Sequence, residues 1–252
     1  MTAALRPAAR RPAVRTLSIP ARTAHVEAAS LQVARALAVV VREVSELGHT
    51  PLIFAGSCDV APGVLAGLAD PDCGVVWIDA HPDFNTPGSS RSGFWPGMTL
   101  AVVVGDCGEH VRTTLSLDAV PQARVALIGV RSLSPAAEAR RLRASQLDVV
   151  RWRHGRPQHS VADALDRLAR RVDRVYVHLD LDALDPSIGR GIVDTPVPGG
   201  LTASQLIDVL VGVRRRLAIA ATTIATYVPV KDDGKTVASA ITAAHVLHDE
   251  QR

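Results

Sequence analysis

Aromatic residues make up only 3% of this 252-residue chain. Wide surfaces for stacking nucleic-acid bases are therefore not provided, and a nucleic-acid partner is disfavoured from the outset. Cysteine is just as scarce. Cys58, Cys73 and Cys107 are odd in number and show no CxxC spacing, which excludes a disulfide framework and a zinc knuckle and leaves buried free thiols as the expectation. No apolar run approaches the ~20 residues needed to cross a bilayer. Nor does the chain open on the charged-then-apolar pattern of a secretory signal. A soluble, cytoplasmic protein with no membrane partner is expected. Acidic residues are missing before Glu27, whereas Arg6, Arg10, Arg11, Arg15 and Arg22 precede it, so the formal charge of +3 arises largely in that segment. With Pro7, Pro12 and Pro20 as well, residues 1–22 read as a disordered lead-in; a transit peptide or an RNA-binding tail are the alternatives.

What is abundant is aliphatic. The chain is 47% hydrophobic and 21% charged, enough to bury one substantial core, and residues 23–252 are expected to form a single α/β domain. A helix is read over Thr23–Leu47, with Gly48 as its C-terminal cap. Strand-like runs follow at Pro51–Ala55, Gly74–Ile78, Arg124–Gly129, Leu147–Val150, Val175–Leu179 and Ala218–Thr226. Helical stretches separate them near Val60–Leu68, Gly97–Val104, Pro135–Leu142, Val161–Val172, Ala203–Arg214 and Val237–His248. That alternation specifies a mainly parallel sheet, and strands apolar on both faces must be covered by helices on both sides. Ligands of such sheets bind beyond the strands' C-terminal ends, and the turn-rich stretch Asn85–Gly97 reads as a loop over that crevice.

Directly after Val75–Ile78 come Asp79, His81 and Asp83, whose spacing of two turns all three to one side of an extended chain. After Val175–Leu179 come Asp180 and Asp182, again at spacing two. Either motif alone also fits a polar strand end or a cap and turn. Together, each behind a buried strand, they point to convergence. Four carboxylates and an imidazole in one crevice repel and desolvate one another unless cations neutralise them. Such donors favour hard to borderline ions, manganese first, with zinc, iron or nickel as alternatives. Two ions ~3.5–4 Å apart lower the pKa of a shared water and supply hydroxide at neutral pH. The expected chemistry is hydrolysis.

Trp77-Ile-Asp79-Ala-His81-Pro-Asp83-Phe-Asn85-Thr-Pro87, Asp180-Leu-Asp182-Ala-Leu-Asp185-Pro186 and Thr195-Pro-Val-Pro-Gly-Gly-Leu-Thr202 resemble the signatures of the arginase/agmatinase/formiminoglutamase (ureohydrolase) family. The likeness runs from about Pro51 to the C-terminus and includes Ser92-Gly93, Gly97-Met98 and Ile128-Gly-Val-Arg131. It implies a three-layer α/β/α sandwich, two Mn2+ ions per chain, and a homotrimer or homohexamer. By resemblance, Asp79, Asp83 and Asp180 serve one metal, and Asp79, His81, Asp180 and Asp182 the other. Asn85 and Ser92 match positions that hold the substrate's amino-acid end, and Asp83 steadies or relays the proton.

Three positions depart from the family pattern. Cys58, in Gly56-Ser57-Cys58-Asp59, stands where the first metal has histidine; it is either a thiolate ligand or merely a small buried residue. Family members thought to act on N-hydroxylated arginine are similar in this respect. Pro96 replaces a histidine that resembles a proton shuttle. Thr226 replaces a glutamate that pairs with the guanidinium, and a neutral hydroxyl cannot make that charged bidentate contact. The strand and substrate-side loop that the family places before the first helix have no clear counterpart. These changes point from arginine or agmatine towards a less basic amidine, such as an N-hydroxyguanidine or a formimino compound. The rival reading is a catalytically impaired homologue acting as a binding or oligomer partner. His178 reads as a core or supporting histidine, Asp185-Pro186 as a turn former, and Arg214-Arg215-Arg216 as a solvated helix end.

Overall fold

The structure, a computed structural model, describes residues 14–17, 25–188 and 196–248. The lead-in expected over residues 1–22 lies outside these apart from 14–17, and so does Thr195 of the last motif. In chain order the elements are α1 (Val26–Glu46), β1 (Leu52–Ala55), α2 (Ala61–Leu68), β2 (Gly74–Ile78), α3 (Thr99–Val103), α4 (Glu109–Leu115), β3 (Val125–Ile128), α5 (Ala136–Ala144), β4 (Asp148–Val150), β5 (Trp152–Arg153), β6 (Arg156–Pro157), α6 (Val161–Ala169), β7 (Arg174–Asp180), α7 (Ala203–Arg214), β8 (Ala218–Ala225) and α8 (Lys235–His248). Gly48, at φ +77°, ends α1 in the left-handed conformation that a C-terminal glycine permits. A capping box between Thr202 and Gln205 starts α7.

Six strands form one sheet in the order β1-β8-β7-β2-β3-β4, and every pairing in it is parallel. All residues of β2 and β3 are buried. Alternation along β2 sends Val75 and Trp77 to one face, where they meet Leu37 and Val41 of α1, Val64 and Leu65 of α2, and Leu100 of α3. Val76 and Ile78 go to the other, against Leu165 of α6, Leu210 of α7 and Ala243 of α8. The architecture is thus the expected α/β/α sandwich. Between β2 and β7 the chain reverses its direction of travel across the sheet: β2 leads on to β3 and β4, β7 to β8 on the opposite side. Such a reversal opens a crevice at the strands' C-terminal ends.

Two elements were not read from sequence. Helix α4 buries only Val111 and Leu115, too few to mark a helical period. The hairpin of β5 and β6 has two residues per strand. The arginine run also differs from its reading as a solvated end. Arg214 Nη1 donates to the Val246 carbonyl at 2.8 Å and Arg216 Nε to Asp166 at 2.6 Å, tying α7 to α8 and α6.

Candidate metal centre

Four adjacent strands end at the same edge, and each delivers a polar side chain there. Cys58 follows β1, Thr226 follows β8, Asp180 closes β7, and Asp79 follows β2. Because Ile78 pairs with Leu179, Asp79 and Asp180 stand side by side. Ligand-type atoms of Cys58, Asp79 and Asp83 lie within 4.8 Å of one another, and so do those of Asp79, His81 and Asp182. Asp79 belongs to both groups. Asp180 belongs to neither triad; its Oδ2 accepts from Cys58 Sγ at 3.0 Å and its Oδ1 from the Asp182 backbone N–H at 2.7 Å and from the Thr226 hydroxyl.

Several groups aim these carboxylates. Trp77 Nε1 donates to Asp79 Oδ2 at 3.1 Å and the His81 N–H to Oδ1 at 2.7 Å. The Ala80 N–H donates to Asp182 Oδ1 at 3.1 Å, which fastens the loop after β2 to the loop after β7. His81 Nδ1 sits 2.8 Å from Asp182 Oδ2. The even spacing of Asp79, His81 and Asp83 does not survive as an extended chain, since Asp83 has φ +46°. Thr226, at φ +68°, is a β-branched residue in the same left-handed region. Strain of this kind costs on the order of 1–3 kcal/mol per residue and persists where the surroundings over-determine it, commonly at functional sites.

The electrostatics follow from burial. Asp79 is pushed up to about 7, first by loss of water and then by Asp182. Asp83 and Asp180 are held well above the usual carboxylate range by burial and by neighbouring carboxylates. Burial works against a charge on His81, yet Asp182 and Asp79 outweigh it and raise the imidazole to about 11. Burial opposes ionisation of Asp182 too, but His81 overrides it and holds this carboxylate low. Asp83 Oδ2 is buried without a hydrogen-bond partner, an expensive condition for a carboxylate oxygen. Among the described residues these groups therefore form a cluster of carboxyls that burial and mutual repulsion keep from ionising on their own, with sulfur, nitrogen and oxygen donors; divalent cations would supply the missing positive charge and fit it.

The remaining expected site residues fall outside both donor groups. Asn85 is half-buried and bonded to the Ser134 carbonyl at 3.4 Å and to Ser89 Oγ at 3.1 Å. Ser92 is exposed and accepts from the Phe94 N–H at 3.2 Å. The Thr226 hydroxyl faces Asp180 and its neighbouring carbonyl of Ala225. Pro96 is buried in a short 3-10 turn. His178 is wholly buried, stacked on Trp77 with ring centroids 3.8 Å apart and bonded to the Tyr176 hydroxyl at 2.9 Å. Asp185 accepts from the N–H groups of Ser187, Gly199 and Gly200 and so closes its turn.

Two supporting residues have roles that the sequence does not reveal: Arg131, present in the Ile128-Gly-Val-Arg131 likeness but with no role assigned, and Glu138. Arg131, beyond β3, donates to the carbonyls of Asp182 at 2.7 Å, Ala183 at 3.0 Å, Leu184 at 3.1 Å and Val197 at 2.9 Å, clamping the loop that carries Asp182. Glu138, buried in the first turn of α5, accepts from the Phe84 N–H at 3.2 Å and so pins the backbone next to Asp83. An arginine just past a strand-end glycine was the one signal for the first; the second had none.

The arginase family model matches residues 12–249. The chain belongs to the arginase family. An arginase of Bacillus caldovelox is 38% identical over 174 residues, an alignment spanning 66% of this chain and 57% of that protein. This arginase-family chain thus aligns with little more than half the length of that curated relative. In structure it superposes on the arginase from Bacillus caldovelox with a TM-score of 0.80 at 28% identity, covering 96% of this chain and 82% of the other. The arginase from Bacillus cereus gives 0.81 at 26% identity, covering 90% and 80%. The family match starts well before Pro51, where the motif likeness began.

Proposed function

We propose that this chain hydrolyses a C–N bond of a linear amidine or guanidino compound with the help of bound divalent metal, manganese being the first choice for the imidazole-carboxylate group. The observation that carries this reading is the pair of donor groups sharing Asp79 at the reversal point of an arginase-family sheet. Asp79, His81 and Asp182 would hold one ion, Cys58, Asp79 and Asp83 the other, with Asp180 between them. When bound, such ions make water a strong nucleophile at neutral pH.

The chain's own residues supply the rest. Asp83 has a carboxylate oxygen among the donors and one buried without a hydrogen-bond partner, and serves as the group that steadies or relays a proton there. Thr226 supports Asp180 through its hydroxyl and offers substrate no charge, while Asn85 and Ser92 are assigned, by motif likeness, to the substrate's amino-acid end. A substrate less basic than arginine or agmatine, an N-hydroxyguanidine or a formimino compound, suits a site with a neutral Thr226. Assembly into trimers or hexamers and residence in the cytoplasm belong to the same proposal.

The test is to reconstitute the full chain with manganese and assay release of urea or the matching amide from arginine, N-hydroxyarginine, agmatine and formiminoglutamate. Metal-dependent turnover, faster on the less basic substrates, is expected. Metal uptake with no turnover on any amidine would favour the non-catalytic homologue instead.

A further inference from the structure

Taken as a metal centre, the premise on which this inference rests, the two donor groups are chemically unlike. One offers an imidazole and two carboxylates; the other offers the Cys58 sulfur and the carboxylates of Asp79 and Asp83. Cys58 is only 4% exposed. Apolar side chains of the α1/α2 layer pack around it, as they would around an inert structural thiol. On its other side, however, its sulfur lies 3.0 Å from Asp180 Oδ2, at the edge of the carboxylate cluster. The Asp83 carboxylate in the same group is 6% exposed and has an oxygen without a partner. A weak thiol donor facing acceptors, with one acceptor left unsatisfied, is an arrangement that a cation completes and that packing alone does not explain.

We propose that the Cys58 group selects a softer divalent ion, of the cobalt or zinc class, over manganese, while the His81 group accepts manganese, so that the two ions of a loaded centre are different elements. Thiolate ligands favour softer ions and carboxylates harder ones such as manganese, with imidazole borderline between them. Asp79, common to both groups, joins the unlike halves.

Metal-stripped full-length protein titrated anaerobically with cobalt(II) provides a readout independent of turnover. A sulfur-to-cobalt charge-transfer absorption is expected in the near ultraviolet, saturating at one ion per chain. Cys58→Ser should lose that band while still binding cobalt through the His81 group. In a mixture of cobalt and manganese, the wild type should prefer cobalt, and that preference should fall in Cys58→His, where a borderline imidazole replaces the softer sulfur. Cobalt uptake without the sulfur band, or an unchanged preference in Cys58→His, would overturn this inference and leave the metal centre standing. Failure of the wild type to take up either ion would overturn both.

Discussion

At the scale of single residues, Asp79 carries the most. It accepts hydrogen bonds from Trp77 and the His81 backbone, lies in both donor groups, and is wholly buried. Burial and the Asp182 charge lift its carboxyl from the usual range to about 7, so the folded chain holds the proton more tightly than the unfolded chain does. Its favourable contribution is complete below the ordinary Asp value near 4 and is lost as pH rises through about 7. In the presence of chelator, the wild type should therefore lose thermal stability relative to Asp79→Asn as pH rises from about 4 to about 8. Melting curves of the two proteins across that range check it. Parallel curves would show that the carboxyl does not titrate as described. Added divalent metal should reverse the trend for the wild type alone.

At the scale of elements, the loop after β7 depends on Arg131. Its four carbonyl acceptors between Asp182 and Val197 would lose a charged donor in Arg131→Ala. A loss of about 2–4 kcal/mol in denaturant unfolding is expected, with metal affinity reduced as Asp182 loosens. An unchanged metal affinity would show that the clamp does not position the ligand. The crossing of α1 and α2 makes a contrast. A Cβ at Gly63 would lie 2.4 Å from the Ala34 carbonyl, so Gly63→Ala should cost about 1–3 kcal/mol by overpacking and leave metal affinity intact. These differences explain what was legible in the sequence. Strands β2 and β7 showed themselves because burial on both faces requires unbroken apolar runs, and the ligand motifs followed directly behind them. Helix α4 was hidden because only two of its residues enter the core. The roles of Arg131 and Glu138 are hidden for another reason: their partners lie 51 and 54 residues away in the chain, at Asp182 and Phe84, and meet them only in the finished fold. Asp83 joins the donor cluster through a left-handed backbone at φ +46°, not through the extended chain that the even spacing predicts.

At the scale of the whole molecule, folding gathers buried carboxyls from strands far apart in sequence and makes their ionisation costly until a cation offsets it. Anything that binds this arrangement and not the unfolded chain adds stability by mass action, about 2.7 kcal/mol at one hundred times its dissociation constant. The melting temperature should accordingly climb with metal concentration in a calorimetric scan, and a temperature indifferent to metal would deny the coupling. The central claim is narrower: Asp79 joins two donor groups into one centre. It is tested most directly by metal content per chain, measured by native mass spectrometry of the wild type and Asp79→Ala after loading with manganese and cobalt together. The expected result is two ions on the wild type, and a marked weakening of both in the variant. A variant that keeps one ion at full affinity would contradict the sharing of Asp79, and a wild type that takes up none would contradict the centre itself.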